Sequence, residues 1–261
     1  PVGLLLSTPL TVCLVVLGKH VPQLSFLQQL FGDAPGLSPP ARLYQRLLAG
    51  DQDQAWLVLR TELQEKTLHE AYDAVVLPAL SMAELDQQHG LLDASGEARL
   101  EETMHLLLEV AGEQPASSSV EGSAPQPARA HSGGLRVLCL PARSKADALA
   151  AEMLRQVLER AGVQAVVASS AELTAPALER FEIGGVDVVC ISAVHPSRFM
   201  HVRALCKRIA ARCPRAPIVA GMWMLELEAP DLAERLPILA GVHVVTSLTE
   251  ARAHLQELEE S

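Results

Sequence analysis

Aromatic side chains are scarce in this chain: 261 residues hold four Phe, two Tyr and two Trp, 3% of the total. So few rings give no stacking platform for single-stranded nucleic acid. Positive charge is also in the minority. Lys and Arg number 21 against 31 Asp and Glu, a net charge of −10, which argues against non-specific DNA binding through the whole chain. The five cysteines (13, 139, 190, 206 and 213) contain no CxxC pair and sit mostly in apolar runs. That excludes a disulfide framework and a zinc site, and it fits a reducing compartment. No Gly-rich phosphate loop follows the first strand, where Pro141-Ala142-Arg143-Ser144 stands instead. No Ser-His-Asp or Cys-His set can be placed, so no catalysis is expected. His195 and His201 have no partner at metal-ligand spacing, so no metal site is expected either.

What is present is ordinary globular composition, 49% apolar and 20% charged. Residues 1–18, PVGLLLSTPLTVCLVVLG, carry no charge, and the first is Lys19. As a helix they span about 27 Å, slightly short of a hydrocarbon core. Pro9 argues against a simple soluble helix and is better tolerated in a membrane. Residues 1–20 are expected to end a transmembrane helix seated in the lipid bilayer, with Lys19 marking the water side. The chain starts at Pro1, as expected of a fragment or processed chain.

Residues 21–112 read as helical. Ser38-Pro39-Pro40 starts the first helix, with Leu43, Leu47 and Leu48 on its apolar face. Asp51 starts a second, burying Ala55, Leu59 and Leu63. Thr67 and Glu70 form a capping box for a third, which Pro78 should kink or locally break and Gly90 stop. A fourth covers about 95–111, giving a four-helix bundle. Residues 1–112 hold six basic and fourteen acidic side chains. Residues 113–134 are rich in Pro, Ser, Ala and Gly and predict a flexible linker averaging about 25 Å end to end.

From 135 to 261 strands and helices alternate. Strands are expected at 135–140, 163–168, 186–192, 217–221 and 242–245. Helices are expected at 146–161, 171–182, 197–213, 231–236 and 248–259. That pattern predicts a flavodoxin-like, doubly wound five-stranded parallel sheet of order 2-1-3-4-5. A ligand would lie over the C-terminal strand ends, where Asp147, Ser192, His195 and Gly221 stand as candidate binding residues. Residues 198–215 carry six basic side chains and no acid. Arg203, Lys207, Arg208 and Arg212 are candidates for docking on anionic headgroups or on the acidic helical domain, with a solvated helix face as the alternative.

A helical bundle followed by such a sheet resembles the cobalamin-binding modules of methionine synthase and light-sensing transcription regulators. The Leu-Leu-Ala-Gly-Asp run at 47–51 and Leu-Pro-Ala-Leu at 77–80 carry the helical part of that resemblance. The family's Asp-x-His-x-x-Gly motif would fall on Lys145, Asp147 and Ala150, all changed, so the lower-ligand imidazole is missing. Ser192-Ala193-Val194 partly matches the family's Ser-x-Leu, and Gly221-Met222 its Gly-Gly step. What this implies is no resident cofactor, or a cobalamin held without a protein ligand.

The segment GLLLSTPLTVCLVVLGKHVPQL (3–24) resembles the last transmembrane helix of the autoinducer-2 exporter family of permeases. That resemblance implies a polytopic, oligomeric permease of the bacterial inner membrane. Residues from about 20 onward would be its cytoplasmic regulatory or assembly tail, non-catalytic and binding no nucleic acid. The alternative is a sensor domain for cobalamin or another small ligand.

Overall fold

A computed structural model describes residues 37–114, 134–168, 185–224 and 242–260. The expected transmembrane segment, most of the linker, and the helices at 171–182 and 231–236 lie outside the described residues. Residues from Pro39 onward form one compact unit.

Local signals set the helical layer. Helix α1 (Pro39–Ala49) opens on two prolines, whose fixed φ suits a first turn. Helix α2 (Gln52–Leu63) is capped by Asp51, whose Oδ1 accepts from the Gln54 N–H at 3.2 Å. Helix α3 (Leu68–Ala71) begins where Glu70 accepts both the Thr67 N–H and its hydroxyl. It does not break at Pro78. A π-helical turn (Tyr72–Val76) leads directly into α4 (Leu77–Gln88). The Leu77 N–H reaches back to the Tyr72 carbonyl, and the widened turn absorbs the proline one residue on. Helix α5 (Ala94–Glu113) closes the bundle behind its Asp93 cap.

Five parallel strands follow: β1 (Arg136–Pro141), β2 (Gln164–Val167), β3 (Val188–Ala193), β4 (Ile218–Met222) and β5 (Val242–Val245). Their order is β2-β1-β3-β4-β5, as the alternation predicted. Helix α6 (Lys145–Arg160) follows β1 and ends at Gly162, whose φ of +87° is natural only for glycine. A 3-10 turn (Pro196–Arg198) and α7 (Phe199–Arg212) follow β3, and α8 (Leu248–Glu260) follows β5.

Strand alternation divides the interior in two. Val137, Cys139, Val188, Cys190, Val219 and Val245 face α6, α8 and the helical layer in one continuous core. Leu138, Leu140, Val189, Ile191 and Ala220 face α7 on the other side. Cys139 and Cys190 are register partners, both fully buried as free thiols, and burial pushes the Cys190 thiol up to about 12.

The helical layer is tied to the sheet by polar contacts that no local pattern announces. The buried Tyr72 hydroxyl donates to Gln156 Oε1 at 2.7 Å, and Gln156 Nε2 donates to the Leu108 carbonyl at 3.1 Å. Arg160 Nη2 caps the end of α5 through the carbonyls of Ala111, Gly112 and Gln114. Asp73, on the π turn, accepts the N–H groups of Leu248 and Thr249 at 2.8 and 3.0 Å and so caps α8 across the chain. Asp73→Ala is expected to cost about 1–2 kcal/mol, the range for a lost N-cap, as a lower midpoint in urea denaturation at unchanged slope.

Candidate functional site

In an open parallel sheet the crevice lies beyond the C-terminal strand ends, where the strand order reverses, here between β1 and β3. Asp147 sits at that point, at the third position of α6, and is fully buried. Oδ2 accepts the N–H groups of Arg143 and Ser144 at 3.0 and 2.8 Å, and Oδ1 accepts the Val194 N–H at 2.8 Å. The Ser144 hydroxyl returns a bond from the Asp147 N–H, completing a capping box. One carboxylate therefore fastens the β1 loop to the β3 loop. Burial raises its carboxyl above the usual range, partly opposed by the hydrogen bonds from Ser144 and Val194. The sequence signal was Ser144-Lys-Ala-Asp147, a capping-box pattern that comparison with a ligand motif obscured.

Ser192 is the last residue but one of β3 and is fully buried, paired in register with Pro141 and Gly221. Gly221 has no room for a side chain. A Cβ built there would lie 2.1 Å from Cζ2 of Trp223, whose indole is packed against it and 4% exposed. The Trp223 main-chain N–H donates to the Ala193 carbonyl at 3.0 Å, holding the residue after β4 against the end of β3. Trp223 belongs to the core shared with the helical layer, and so fills the space beside Gly221 from within.

His195 caps the 3-10 turn, its Nδ1 taken up by the Ser197 N–H and hydroxyl. One ring nitrogen is thereby engaged in capping the turn. Arg198 leaves the basic stripe read on its helix. It reaches the helical layer and pairs with Glu84 of α4, whose side chain is 1% exposed. His201 Nε2 contacts Arg143 Nη1 at 2.5 Å. Of the docking candidates on α7, Lys207 and Arg212 are exposed, whereas Arg203 and Arg208 are half-buried. The helix's apolar face, Phe199, Val202, Cys206 and Ile209, is buried as its spacing predicted.

Among the described residues, six buried side-chain atoms have no hydrogen-bond partner: Ser192 Oγ, Arg198 Nε, His201 Nδ1, Arg203 Nε, Trp223 Nε1 and Arg252 Nε; Ser192, Arg198 and Trp223 stand at the C-terminal ends of β3 and β4. Such atoms are uncommon in folded proteins and ask for an explanation. Where α4 and α5 meet the start of α6, the cavity lined by Glu84, Glu97, Glu101 and Lys145 measures about 30 Å³, room for a water or two. A larger open groove of about 740 Å³ runs between α5 and α6 past His105, Glu152 and Arg155. The chain passes out of the described residues near it, after Gln114 and Ala168. Among the described residues no cluster of three His, Cys, Asp or Glu could hold a metal ion.

No protein-family model matches the chain, and no curated protein matches it. Solved structures do. The monomethylamine corrinoid protein of Methanosarcina barkeri superposes with a TM-score of 0.53 at 9% identity, over 84% of this chain and 98% of that one. A methanol:cobalamin methyltransferase complex from the same organism gives 0.38 at 11% identity, over 87% and 81%. A cobalamin-binding protein from Desulfitobacterium hafniense gives 0.38 at 7%, over 82% and 96%. The first of these likenesses establishes the fold.

These findings correct the expectation of a permease tail, and with it the membrane and transport reading. Most of the chain has the fold of a corrinoid protein, and among the described residues no helix is long and apolar enough to cross a membrane. The alternative, a sensor domain for cobalamin or another small ligand, is the reading they favour, through the fold shared with a corrinoid protein.

Proposed function

We propose that this chain is a non-catalytic domain that binds a small polar ligand at the C-terminal strand ends, beneath the helical layer. One observation carries the reading: three of the unpartnered buried donors, Ser192 Oγ, Arg198 Nε and Trp223 Nε1, stand on the last residues of β3, the turn after it and the residue after β4. A buried donor without an acceptor is destabilising, and a ligand oxygen placed there relieves it.

The corrinoid suggested by the fold does not fit the residues present. The position that would offer an imidazole holds Asp147, and three main-chain N–H groups already engage its two oxygens. Trp223 occupies the space over Gly221. The cavity between α4, α5 and the start of α6 is about 30 Å³, against several hundred for a drug-sized ligand. A cobalamin held with its own base is the second reading, favoured by the fold likeness across 98% of the corrinoid protein. It would require the helical layer to lift.

The test uses the 261-residue chain. Incubated with hydroxocobalamin or methylcobalamin and gel-filtered, it is expected to elute colourless. Corrin absorbance co-eluting at one equivalent would establish the second reading. In parallel, thermal unfolding is followed against amino acids, sugars, nucleosides, carboxylates and phosphate esters. A ligand at one hundred times its Kd is expected to raise Tm by about 5–10 °C. The Ser192→Val variant should lose that rise. An unmoved Tm across the panel would overturn the proposal.

A further inference from the structure

We infer that Arg198 is the anchor for an acidic ligand, a carboxylate or phosphate, and that Glu84 of the helical layer holds its place as an internal competitor. The inference rests on the ligand-binding reading above and gives the ligand its charge.

The unpartnered atoms at the mouth are donors. An arginine Nε and a tryptophan Nε1 can only donate, and a serine hydroxyl can donate as well as accept. What is missing is therefore an acceptor-rich group. The guanidinium is already in use, but by a single nitrogen: Nη2 meets Glu84 Oε1, while Nε, on the edge that would complete a two-point contact, is left over. Guanidinium groups favour two-point contact with carboxylate and phosphate. Glu84 satisfies half of that geometry.

The location gives the pair its consequence. Glu84 lies on α4, in the helical layer, on a face that otherwise buries Leu77, Leu80 and Ala83. Arg198 lies in the turn after β3. Their contact ties α4 of the helical layer to the C-terminal end of β3. An anion that takes both Nε and Nη2 must displace Glu84. A carboxylate released in a buried setting moves to water, so α4 would shift away from the strand ends. The ligand is thus recognised and the crevice opened by the same exchange. Asp147, the other carboxylate at the mouth, cannot substitute for the anion, because its oxygens hold the loops.

The experiment uses the full chain in a Trp56→Phe background, so that Trp223 is the single fluorophore of the two tryptophans. Inorganic phosphate and succinate are titrated at constant ionic strength, with chloride as the control. Glu84→Gln is expected to tighten binding of one or both anions at least tenfold. Adding Arg198→Gln to that variant should abolish the fluorescence change. If Glu84→Gln does not fold by circular dichroism, Glu84→Asp, which keeps the charge but withdraws it by one methylene, should tighten binding by about threefold. Equal affinity in a folded Glu84 variant and its parent would overturn the inference, as would anion binding that survives Arg198→Gln. A neutral ligand from the thermal panel that perturbs Trp223 equally with and without Arg198 would leave the ligand-binding reading standing and remove the acidic ligand. Silence of Trp223 and of the panel together would remove both.

Discussion

Asp147→Ala is expected to destabilise the chain by about 3–5 kcal/mol. The carboxylate accepts three main-chain N–H groups, from Arg143, Ser144 and Val194, in a site with no exposure. Alanine leaves all three without an acceptor, and each buried orphan costs about 1–3 kcal/mol. It also removes half of the capping box that starts α6. Urea denaturation monitored by circular dichroism measures the change. A loss under about 1 kcal/mol would mean that water replaces the carboxylate freely, and that the crevice is open.

The pH dependence has a definite sign. Burial raises the Asp147 carboxyl, so the folded chain binds that proton more tightly than the unfolded one. Its contribution to stability therefore falls as pH rises from the ordinary carboxylate value, about 3.9, through the raised one. The difference between parent and Asp147→Ala should be larger at the acid end of that window than at pH 7. Asp147→His places the imidazole of the cobalamin-module motif at this position. An imidazole cannot accept three N–H bonds, so the variant should be destabilised to a similar extent and elute colourless after incubation with hydroxocobalamin. A stable, coloured Asp147→His protein would refute the assignment of Asp147 as a loop fastener.

Gly221→Ala is expected to cost about 3 kcal/mol, the upper end for overpacking. The added methyl would meet Cζ2 and Cη2 of Trp223 at 2.1 and 2.2 Å. A buried indole cannot step aside as a long flexible side chain would. Trp223→Ala alone should cost about 3–5 kcal/mol through the cavity it leaves. The decisive quantity is the double variant. If the clash is the cause, Gly221→Ala should add little once Trp223 is gone, and the pair should fall short of the sum by more than 1 kcal/mol. Additive losses would show that glycine is needed there for the strand end and not for the indole. Trp223→Ala also opens the crevice from within, so it should change the response to the ligand panel.

Local pattern along the chain sets the order of elements, and with it the sheet. Alternating strand and helix periods, the short apolar strands and right-handed crossovers lead to β2-β1-β3-β4-β5. The caps at Asp51, Thr67 and Gly162 were legible for the same reason: each is a contact between near neighbours along the chain. The apolar face of α7 was legible from its helical spacing.

The tertiary structure alone decided which polar groups meet. Glu84 and Arg198 are 114 residues apart, Asp73 and Leu248 are 175 apart, and Tyr72 and Gln156 are 84 apart. Sequence pattern carries periodicity, and periodicity states which face of an element is buried without naming its partner. An arginine inside a basic run therefore reads as part of a solvated stripe, and a glutamate on an apolar face as an interruption. The fold places them together, with the Glu84 carboxylate buried against the guanidinium. Asp147 follows the same logic. Its residue type and position pointed to a lost ligand motif, whereas its buried neighbours, three backbone N–H groups brought from two loops, made it the fastening between β1 and β3.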